Sequence, residues 1–420
     1  MATEDARYRQ SSQYELWSFS PSQLTAMREK TNTAARTRIA ERLASLPTPP
    51  SNTSAPTSSA NTPDPDGSLT PALPEFLTPA EETQLLTFYT SELLRAGDFG
   101  NMSDEIKATA AVFFRRFYVT NSLMTYPPTE MSLTALFFAA KAEGSFMSIG
   151  EFMHIFGKER PDEILAGEFL LCQGLRFAID VKHPFRALRG AVMELSTLPG
   201  IEPSRLTAAE ARAREILRFS PLITDAYFHY TPSQIMLAAL SLADRGLAER
   251  LITETFHYVA PPANNSGADT PASSGPDAPA GNKKPPPRNA GEDKAQIIGS
   301  HIRDKVLGTV EACRDMLSKE LPERREHWTN RAVIKAQITP LRKKLNKCRD
   351  PERWNLVELQ KARRAQASKK ADSEDGDPED REGGGDTLES DGAVFGDPAP
   401  KRRKVVEKGA KLEDPFGGPL

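Results

Sequence analysis

Residues 131–142 read MSLTALFFAAKA, and residues 235–243 read IMLAALSLA. Both stretches are apolar nearly all round and lack the polar face of a surface helix. A helix of this kind belongs in the middle of a bundle, where other helices surround it. The two stretches lie about a hundred residues apart, and each is the third of five predicted helices. The sequence therefore predicts an all-α protein with two five-helix repeats, each wrapped around a buried third helix.

The helix starts carry capping signals. Three of them combine a hydroxyl cap, proline at the first helical position and Gln or Glu at the third, namely SPSQ at 20–23, TPAE at 78–81 and TPSQ at 231–234. Ser148 with Glu151 and Thr207 with Glu210 have the same spacing without proline. These signals predict helices at 21–45, 79–96, 103–120, 129–143, 148–157, 160–176, 184–197, 204–219, 232–244, 246–258, 295–320 and 329–349, with a further one reaching 368.

Composition divides the chain into folded and unfolded segments. Only 38% of the 420 residues are hydrophobic, and many of the 34 prolines are clustered, eight of them in residues 47–74. Such segments bury too little apolar surface to offset the entropy of ordering them. We predict an N-terminal segment with a helix at 1–46, a disordered linker at 47–74, a first repeat at 75–180, a second repeat at 181–320 with a disordered insert at 261–294, a basic helical segment at 321–370 and a disordered acidic tail at 371–420.

Several classes of function are disfavoured by the sequence. The net charge of −3 predicts no nucleic-acid partner from the whole-chain balance, and no apolar run is long enough for a membrane span or a signal peptide. Three widely separated cysteines form neither a disulfide framework nor a metal motif, which is typical of a reducing compartment. We find no phosphate-binding loop, nucleophile elbow or kinase signature. The sequence thus predicts a soluble intracellular protein without catalytic residues, metal or cofactor. Asp225 and His229, four residues apart, are interpreted as a structural pair.

Five local sequences resemble those of the cyclin H family, in its fungal type: WSFS at 17–20, FLTP at 76–79, FRRFYVTNS at 114–122, LITDAY at 222–227 and YTPSQI at 230–235. The resemblance covers about residues 13–350 apart from the two Pro-rich segments, and the last two stretches are the most specific to the family. It implies a tandem cyclin fold with flanking helices. It also implies a nuclear regulatory subunit, not itself an enzyme, that activates the catalytic subunit of the CDK-activating kinase. A ring-finger assembly subunit and general transcription factor IIH are the further implied partners. The implied roles are in RNA polymerase II transcription and in the activation of cell-cycle kinases.

The resemblance also implies which residues bind the kinase. Lys141, at the end of the buried third helix, and Glu168, on the fifth helix, match the pair with which cyclins hydrogen-bond main-chain groups around the kinase C-helix. Lysine supplies only donors and a carboxylate only acceptors, so together they satisfy both backbone polarities. The alternative is a salt bridge that merely closes the bundle. Phe177 and Ile179 match apolar kinase contacts, and core packing is their alternative role. Gly144 replaces a common second acidic residue of the family.

The flanking helices form a second implied contact. In the resembling family, the N-terminal helix and the helix predicted at 329–349 pack together beside the first repeat. Trp17, Phe19, Leu24 and Met27 offer an apolar stripe for that packing. An ordinary amphipathic surface helix would bury the same residues.

Two basic features remain. Residues 319–370 hold 16 lysines and arginines against six acidic residues, a surplus of ten positive charges. We interpret this surplus as a solvated face or a contact for an acidic partner in preference to a nucleic-acid interface. The cluster Lys401, Arg402, Arg403 and Lys404 is typical of a nuclear import signal.

Two other functions remain open at this stage. The chain could be another transcriptional cyclin, of the C, K or T type, against which the TDAY and TPSQ stretches argue. It could also be a cyclin-fold transcription factor that binds nucleic acid, as in the core of general initiation factor IIB. Positive charge spread over the folded repeats would favour that reading, whereas here the surplus lies mainly C-terminal to them.

Overall fold

The computed structural model describes residues 4–45, 73–145, 147–255 and 290–374, and every regular element within these ranges is a helix. The predicted all-α class is confirmed. The chain separates into two compact units, Met1–Leu356 and Val357–Leu420. The boundary falls inside the basic segment predicted at 321–370. Residues 46–72, 256–289 and 375–420 lie outside the described residues, and with them nearly all of the predicted linker, insert and acidic tail, including the import signal at Lys401–Lys404.

The helices follow one another in four groups. Three precede the first repeat: α1 (Glu4–Arg9), α2 (Ser12–Trp17) and α3 (Pro21–Ser45). The first repeat holds α4 (Pro79–Phe99), α5 (Asp104–Thr120), α6 (Pro128–Ala142), α7 (Ile149–Ile155) and α8 (Pro161–Gly174). The second holds α9 (Pro184–Thr197), α10 (Pro203–Leu217), α11 (Ser220–Ile223), α12 (Ala226–His229), α13 (Pro232–Ala243), α14 (Arg245–Thr255) and α15 (Ala290–Ser318). A 3-10 turn (Pro322–Arg324), α16 (Arg325–Thr329), α17 (Arg331–Val333), a π-helical turn (Ile334–Ile338), α18 (Thr339–Lys347) and α19 (Leu356–Glu374) follow.

The three proline-containing capping boxes are confirmed. At α4 the Thr78 hydroxyl accepts from the Glu81 N–H at 3.3 Å, and the Glu81 carboxylate accepts from the Thr78 N–H at 2.7 Å. The same reciprocal bonds start α3 and α13. Each box satisfies two backbone donors that the helix itself leaves unpaired. The box predicted at Thr207 is wrong. Thr207 lies inside α10, and its hydroxyl donates to the Pro203 carbonyl at 2.9 Å.

Both repeats are built around their third long helix. In the first, α6 contacts α4, α5 and α8 and buries apolar side chains on several sides, among them Met131, Ala135, Leu136 and Ala139. In the second, α13 contacts α9, α10, α14 and α15. The short helices α11 and α12 were not predicted. They fill the connection between α10 and α13, and α11 packs on α4 and α5 of the first repeat.

The single helix predicted at 329–349 is wrong in detail, because the chain widens into a π-helical turn at Ile334–Ile338. Pro340 explains the widening. Proline has no N–H for the regular helical bond, and its ring clashes with the carbonyl four residues earlier. The Thr339 hydroxyl donates instead to the Ile334 carbonyl, five residues back, at 3.0 Å. The helix resumes as α18 in a shifted register.

A part-buried hydrogen-bond chain joins the two repeats. Thr109 of α5 donates to Glu143 Oε1 at 2.5 Å, since a carboxylate can only accept. Thr109 Oγ1 therefore accepts from Nε2 of His183, at 2.7 Å, and His183 Nδ1 accepts from the Tyr227 hydroxyl, at 2.8 Å. The bonds make Nε2 the donor, and because burial keeps the imidazole neutral, Nδ1 is the acceptor at the junction of the repeats.

The neutral imidazole predicts a pH dependence of stability. Burial, with the nearby Arg116 guanidinium, lowers the pKa of His183 to about 3, whereas an unfolded histidine titrates near ~6.5. Between these values the unfolded chain binds a proton that the folded chain does not. The stabilisation is complete above pH ~6.5 and decreases by about 1.4 kcal/mol for each pH unit below it. We expect His183→Gln, followed by urea unfolding between pH ~7.5 and ~5, to reduce the pH slope by about one proton. The exposed His154→Gln is the control, and an unchanged slope in His183→Gln would contradict the assignment.

Candidate functional site

Lys141 and Glu168 meet on the surface of the first repeat. Lys141 Nζ lies 2.7 Å from Glu168 Oε1, and the two side chains are 45% and 19% exposed. Lys141 Nζ also lies 4.3 Å from the ring centroid of Phe137, one turn earlier on α6. The position of Lys141 in the last turn of α6 suits a cation, because the helix dipole is negative at that end. An ammonium with further donors and a carboxylate with further acceptors are thus presented together to a partner.

A close approach of two helices brings this pair together. Gly167 precedes Glu168 on α8, and a Cβ atom at Gly167 would lie only 2.6 Å from Thr134 Oγ1 on α6. The Thr134 hydroxyl lies 3.0 Å from the Glu130 carbonyl and 3.2 Å from the Ile164 carbonyl, so it is held between the two helices. Lys141 follows Thr134 by two turns. The absence of a side chain at Gly167 is therefore what allows Glu168 to reach Lys141.

Gly167→Ala is expected to cost roughly 1–3 kcal/mol of stability, because the added methyl group must displace Thr134. The matched control is Gly190→Ala on α9, where a Cβ atom would meet nothing within 4 Å. Urea unfolding should place this control at or above wild type. The double variant Gly167→Ala with Thr134→Ala should recover part of the loss, with a coupling of about 0.5 kcal/mol or more. Strict additivity of the two changes would contradict the steric explanation.

Four large apolar side chains are exposed on α8 and in the residues that follow it. Phe177 is 57% exposed and Ile179 is 43% exposed, which excludes core packing as the role of these two residues in the chain as described. Leu165 and Phe169 on α8 are exposed as well, at 37% and 39%. We call these four residues the α8 patch. Sequence reasoning missed Leu165 and Phe169, although their spacing of four residues placed them on the same helix face as each other. Exposed large apolar side chains on and just after one helix are a feature of protein-binding sites.

The turn that presents Phe177 is strained. Arg176 and Phe177 have φ values of +53° and +57°, a region that residues with side chains rarely adopt. Such strain persists only where surrounding structure enforces it, and it is frequent at functional sites. Trp17 supplies the enforcement here, because its buried ring contacts the guanidinium groups of both Arg116 and Arg176, at 5.4 and 5.5 Å from the ring centroid. Arg116 also donates to the Ala178 carbonyl at 3.4 Å.

The four residues of the predicted N-terminal stripe join one cluster. Trp17 and Leu24 are buried with Val119, Ala178 and Phe228, and Phe19 and Met27 pack against the same group. The stripe thus contacts both repeats. The cluster contains no residue of the C-terminal flanking helix, against which the stripe was predicted to pack. The flanking segments meet elsewhere, where Arg42 of α3 pairs with the buried Asp350 at 2.6 Å. Through Trp17, the N-terminal segment contacts both the strained turn, at Arg176 and Ala178, and the second repeat, at Phe228.

Asp225 has different partners from those the sequence suggested. Its carboxylate accepts two bonds from Arg28 of α3, at 2.7 and 2.8 Å, and one from Arg115 of α5, at 2.7 Å. The predicted pairing with His229 is wrong, because His229 Nδ1 lies 2.7 Å from the Phe19 carbonyl. Burial favours the neutral acid at Asp225, but the two guanidinium groups outweigh it and hold the pKa of this carboxyl well below its usual range. Arg28, Arg115 and Asp225 tie three parts of the chain into one largely buried ion cluster.

The described residues contain no group of three or more His, Cys, Asp or Glu side chains placed to hold a metal ion. The cysteines at 172, 313 and 348 are free, and burial raises the pKa of the Cys313 thiol to about 12. Within the described ranges, no helix combines the length and the apolar character that a membrane span requires.

Two helical repeats, each built around a buried central helix, with two extra short helices in the second and a Lys–Glu pair at the surface of the first, correspond to the tandem cyclin fold. A family model described as the cyclin C-terminal domain matches residues 183–318, inside the predicted second repeat. The chain is 31% identical to Cyclin CCL1 of Saccharomyces cerevisiae, over 60% of this chain and 62% of that protein, which is less than two thirds of its length. It is also 31% identical to Cyclin mcs2 of Schizosaccharomyces pombe, over 56% of this chain and 68% of that protein. The chain belongs to the cyclin H family.

Solved structures agree with this assignment. A chain in the CAK complex of Chaetomium thermophilum bound to ATP-γ-S is 65% identical, with a TM-score of 0.71. The match covers 91% of this chain and all of that one. A chain in the yeast TFIIK (Kin28/Ccl1/Tfb3) complex is 22% identical with a TM-score of 0.50, over 74% of this chain and all of that one, and supports the fold alone.

Proposed function

We propose that this chain is the regulatory cyclin of a CDK-activating kinase, and that Lys141, Glu168 and the α8 patch form its kinase-binding surface. The observation that carries the proposal is the solvent-accessible ion pair, 2.7 Å long, in a repeat that also exposes four large apolar side chains on and just after α8. The 65% identity to a chain of a CAK complex supports the same conclusion. When a partner covers such a surface, the apolar side chains become buried and the polar pair loses its water. This combination is typical of the residues that contribute most to the binding free energy of a protein interface.

The mechanism follows from what the pair can bind. Lys141 donates to backbone carbonyls and Glu168 accepts from backbone N–H groups, so the pair can hold one segment of main chain in a single pose. A kinase is active when the glutamate of its C-helix pairs with the lysine that binds the nucleotide phosphates. A cyclin that contacts this helix only in the inward position stabilises the active state, and the population of active enzyme rises. The cyclin contributes no catalytic group to the reaction.

The proposal extends to the assembly. The kinase catalytic subunit is the direct partner, a ring-finger subunit completes the complex, and general transcription factor IIH is the larger assembly. The site of action is the nucleus, and the substrates are the C-terminal repeats of RNA polymerase II and the activation loops of cell-cycle kinases. The relatives CCL1 and mcs2, both named cyclins, support this role.

Reconstitution tests the proposal. The full chain is mixed with a purified cyclin-dependent kinase catalytic subunit, and phosphate transfer to a peptide of the polymerase repeats is measured. We expect an equimolar complex in gel filtration and a rise in activity of about tenfold or more. Salt-sensitive DNA binding by the chain, without kinase stimulation, would support the alternative of a nucleic-acid-binding factor and overturn the proposal.

A further inference from the structure

The helical stretch after α16 carries a row of exposed cations. Arg331, Lys335, Lys343 and Lys347 are all exposed, and we call these four residues the cationic row. No Asp or Glu occurs in the sequence between Glu326 and Asp350. The row belongs to the unit Met1–Leu356 and lies apart from the proposed kinase-binding residues in the sequence.

The π-helical turn aligns these four residues. In an uninterrupted α-helix Lys343 would be rotated by about 120° from Arg331, on another face. The turn at Ile334–Ile338 accommodates one extra residue, so the twelve residues from Arg331 to Lys343 behave as about eleven of regular helix. Eleven residues make about three complete turns. Lys335 follows Arg331 by about one turn, and Lys347 follows Lys343 by about one turn. The four charges therefore share one face over roughly 24 Å.

The neighbouring cations are already used by the fold, whereas the row is not. Lys344 pairs with Glu75 at 2.6 Å and with Glu81 at 2.9 Å, and the Arg342 guanidinium is close enough to Tyr89 to oppose the rise that burial causes in the pKa of that phenol. Within the described ranges no acidic group lies within salt-bridge distance of any of the four row residues. Four aligned like charges repel one another, which is unfavourable for an isolated helix. A partner of opposite charge would relieve that repulsion.

We propose that the cationic row binds an acidic segment of a partner protein. An extended segment of about seven residues spans the row at ~3.3 Å per residue. A nucleic acid fits less well. The chain as a whole carries a net charge of −3, which opposes the approach of a polyphosphate. The stretch from 329 to 353 contains no Phe, Tyr or Trp for bases to stack on, while Trp328 is buried and the Trp354 ring is covered by Arg349.

The test uses the full chain and a fluorescein-labelled dodecaglutamate peptide, with binding followed by fluorescence anisotropy at low and at physiological ionic strength. The row variant combines Arg331→Gln, Lys335→Gln, Lys343→Gln and Lys347→Gln. The matched control removes the same charge from exposed cations elsewhere, with Lys30→Gln, Arg186→Gln, Arg189→Gln and Lys305→Gln. Labelled dodecathymidylate serves as the nucleic-acid probe. Thermal unfolding of each variant verifies that it folds.

We expect the row variant to bind the acidic peptide about tenfold or more weakly than wild type, and the control to stay within about twofold. Equal losses in both variants would mean that only diffuse charge is sensed, and would overturn the proposal. Tighter binding of the oligonucleotide than of the peptide, lost in the row variant, would identify a nucleic-acid interface and overturn the partner class. Failure of the wild-type chain to bind the peptide would overturn it as well. None of these outcomes depends on whether the chain activates a kinase.

Discussion

Lys141→Ala and Glu168→Ala should each weaken binding of the kinase catalytic subunit by about 30-fold, equivalent to about 2 kcal/mol, the range of an interface hot spot. Removing either residue leaves the other without its partner at 2.7 Å and leaves backbone groups of the kinase segment unpaired in the interface. Kinase stimulation should fall in parallel at subunit concentrations near the dissociation constant. Titration of the kinase subunit with each variant measures the binding affinity, and phosphate transfer to the polymerase peptide measures the stimulation.

The control for these variants is a surface ion pair of similar geometry elsewhere. Arg245 and Glu249 on α14 lie 2.6 Å apart and are both exposed. The double variant Arg245→Ala with Glu249→Ala should bind the kinase as wild type does. All three variants should keep the free energy of unfolding within about 1 kcal/mol, because exposed ion pairs contribute little to stability. Unchanged kinase binding and stimulation in both Lys141→Ala and Glu168→Ala would refute the site.

The largest stability effect is expected at Asp225. Asp225→Ala removes the shared acceptor of Arg28 and Arg115 and leaves two largely buried guanidinium groups without a counter-charge. Breaking a buried ion cluster in this way costs about 3–5 kcal/mol. The loss should appear as a lower urea midpoint, and the exposed Asp304→Asn should stay within about 0.5 kcal/mol of wild type. A loss below 1 kcal/mol in Asp225→Ala would contradict the role of the cluster.

The lowered pKa of Asp225 also predicts how the stability effect of Asp225→Ala changes with pH. The carboxylate stabilises the folded state fully above the unfolded pKa of about 4, and the stabilisation is lost as the pH falls from there toward the folded value. The difference in stability between wild type and Asp225→Ala should therefore shrink in acid. Replacing Arg28, Arg115 and Asp225 together by apolar residues of similar volume should recover much of the loss, since well-packed apolar side chains often substitute for a buried ion cluster.

Local signals predicted the helices well wherever the cause of the helix was local. The capping boxes at Ser20, Thr78 and Thr231 are made by residues within four positions of one another, so the chain needs no other segment to form them. The two buried central helices were predicted equally well, because a helix without a polar face must be surrounded by other helices. The failures at Thr207 and at 329–349 arose where one local signal competed with another. Pro340 within a helical pattern widened the helix without ending it.

The candidate site was predicted in part. Lys141, Glu168, Phe177 and Ile179 came from resemblance to a family, and the structure places the first two in contact and leaves the other two exposed. Leu165 and Phe169 were missed, because an apolar residue on an amphipathic helix is ordinarily expected to face the core. Gly167 was missed because a close approach of two helices depends on the residue opposite, Thr134, which lies 33 positions away in the sequence.

The sequence alone determined most helix starts and the two buried centres, because capping and periodicity act between residues close in the chain. The family came from the resemblance of five short stretches to known sequences. Only the tertiary structure decided the partners of Asp225 and of Trp17. Asp225 bonds Arg28 and Arg115 across 197 and 110 positions, and Trp17 holds a turn that begins at Arg176. Contacts between such distant residues depend on how the helices pack, and charge or ring type in the sequence does not specify a partner. The alignment of the cationic row has a local cause, the widened turn before Pro340, but only the structure showed it, since that turn changes the face on which every later residue of the helix lies.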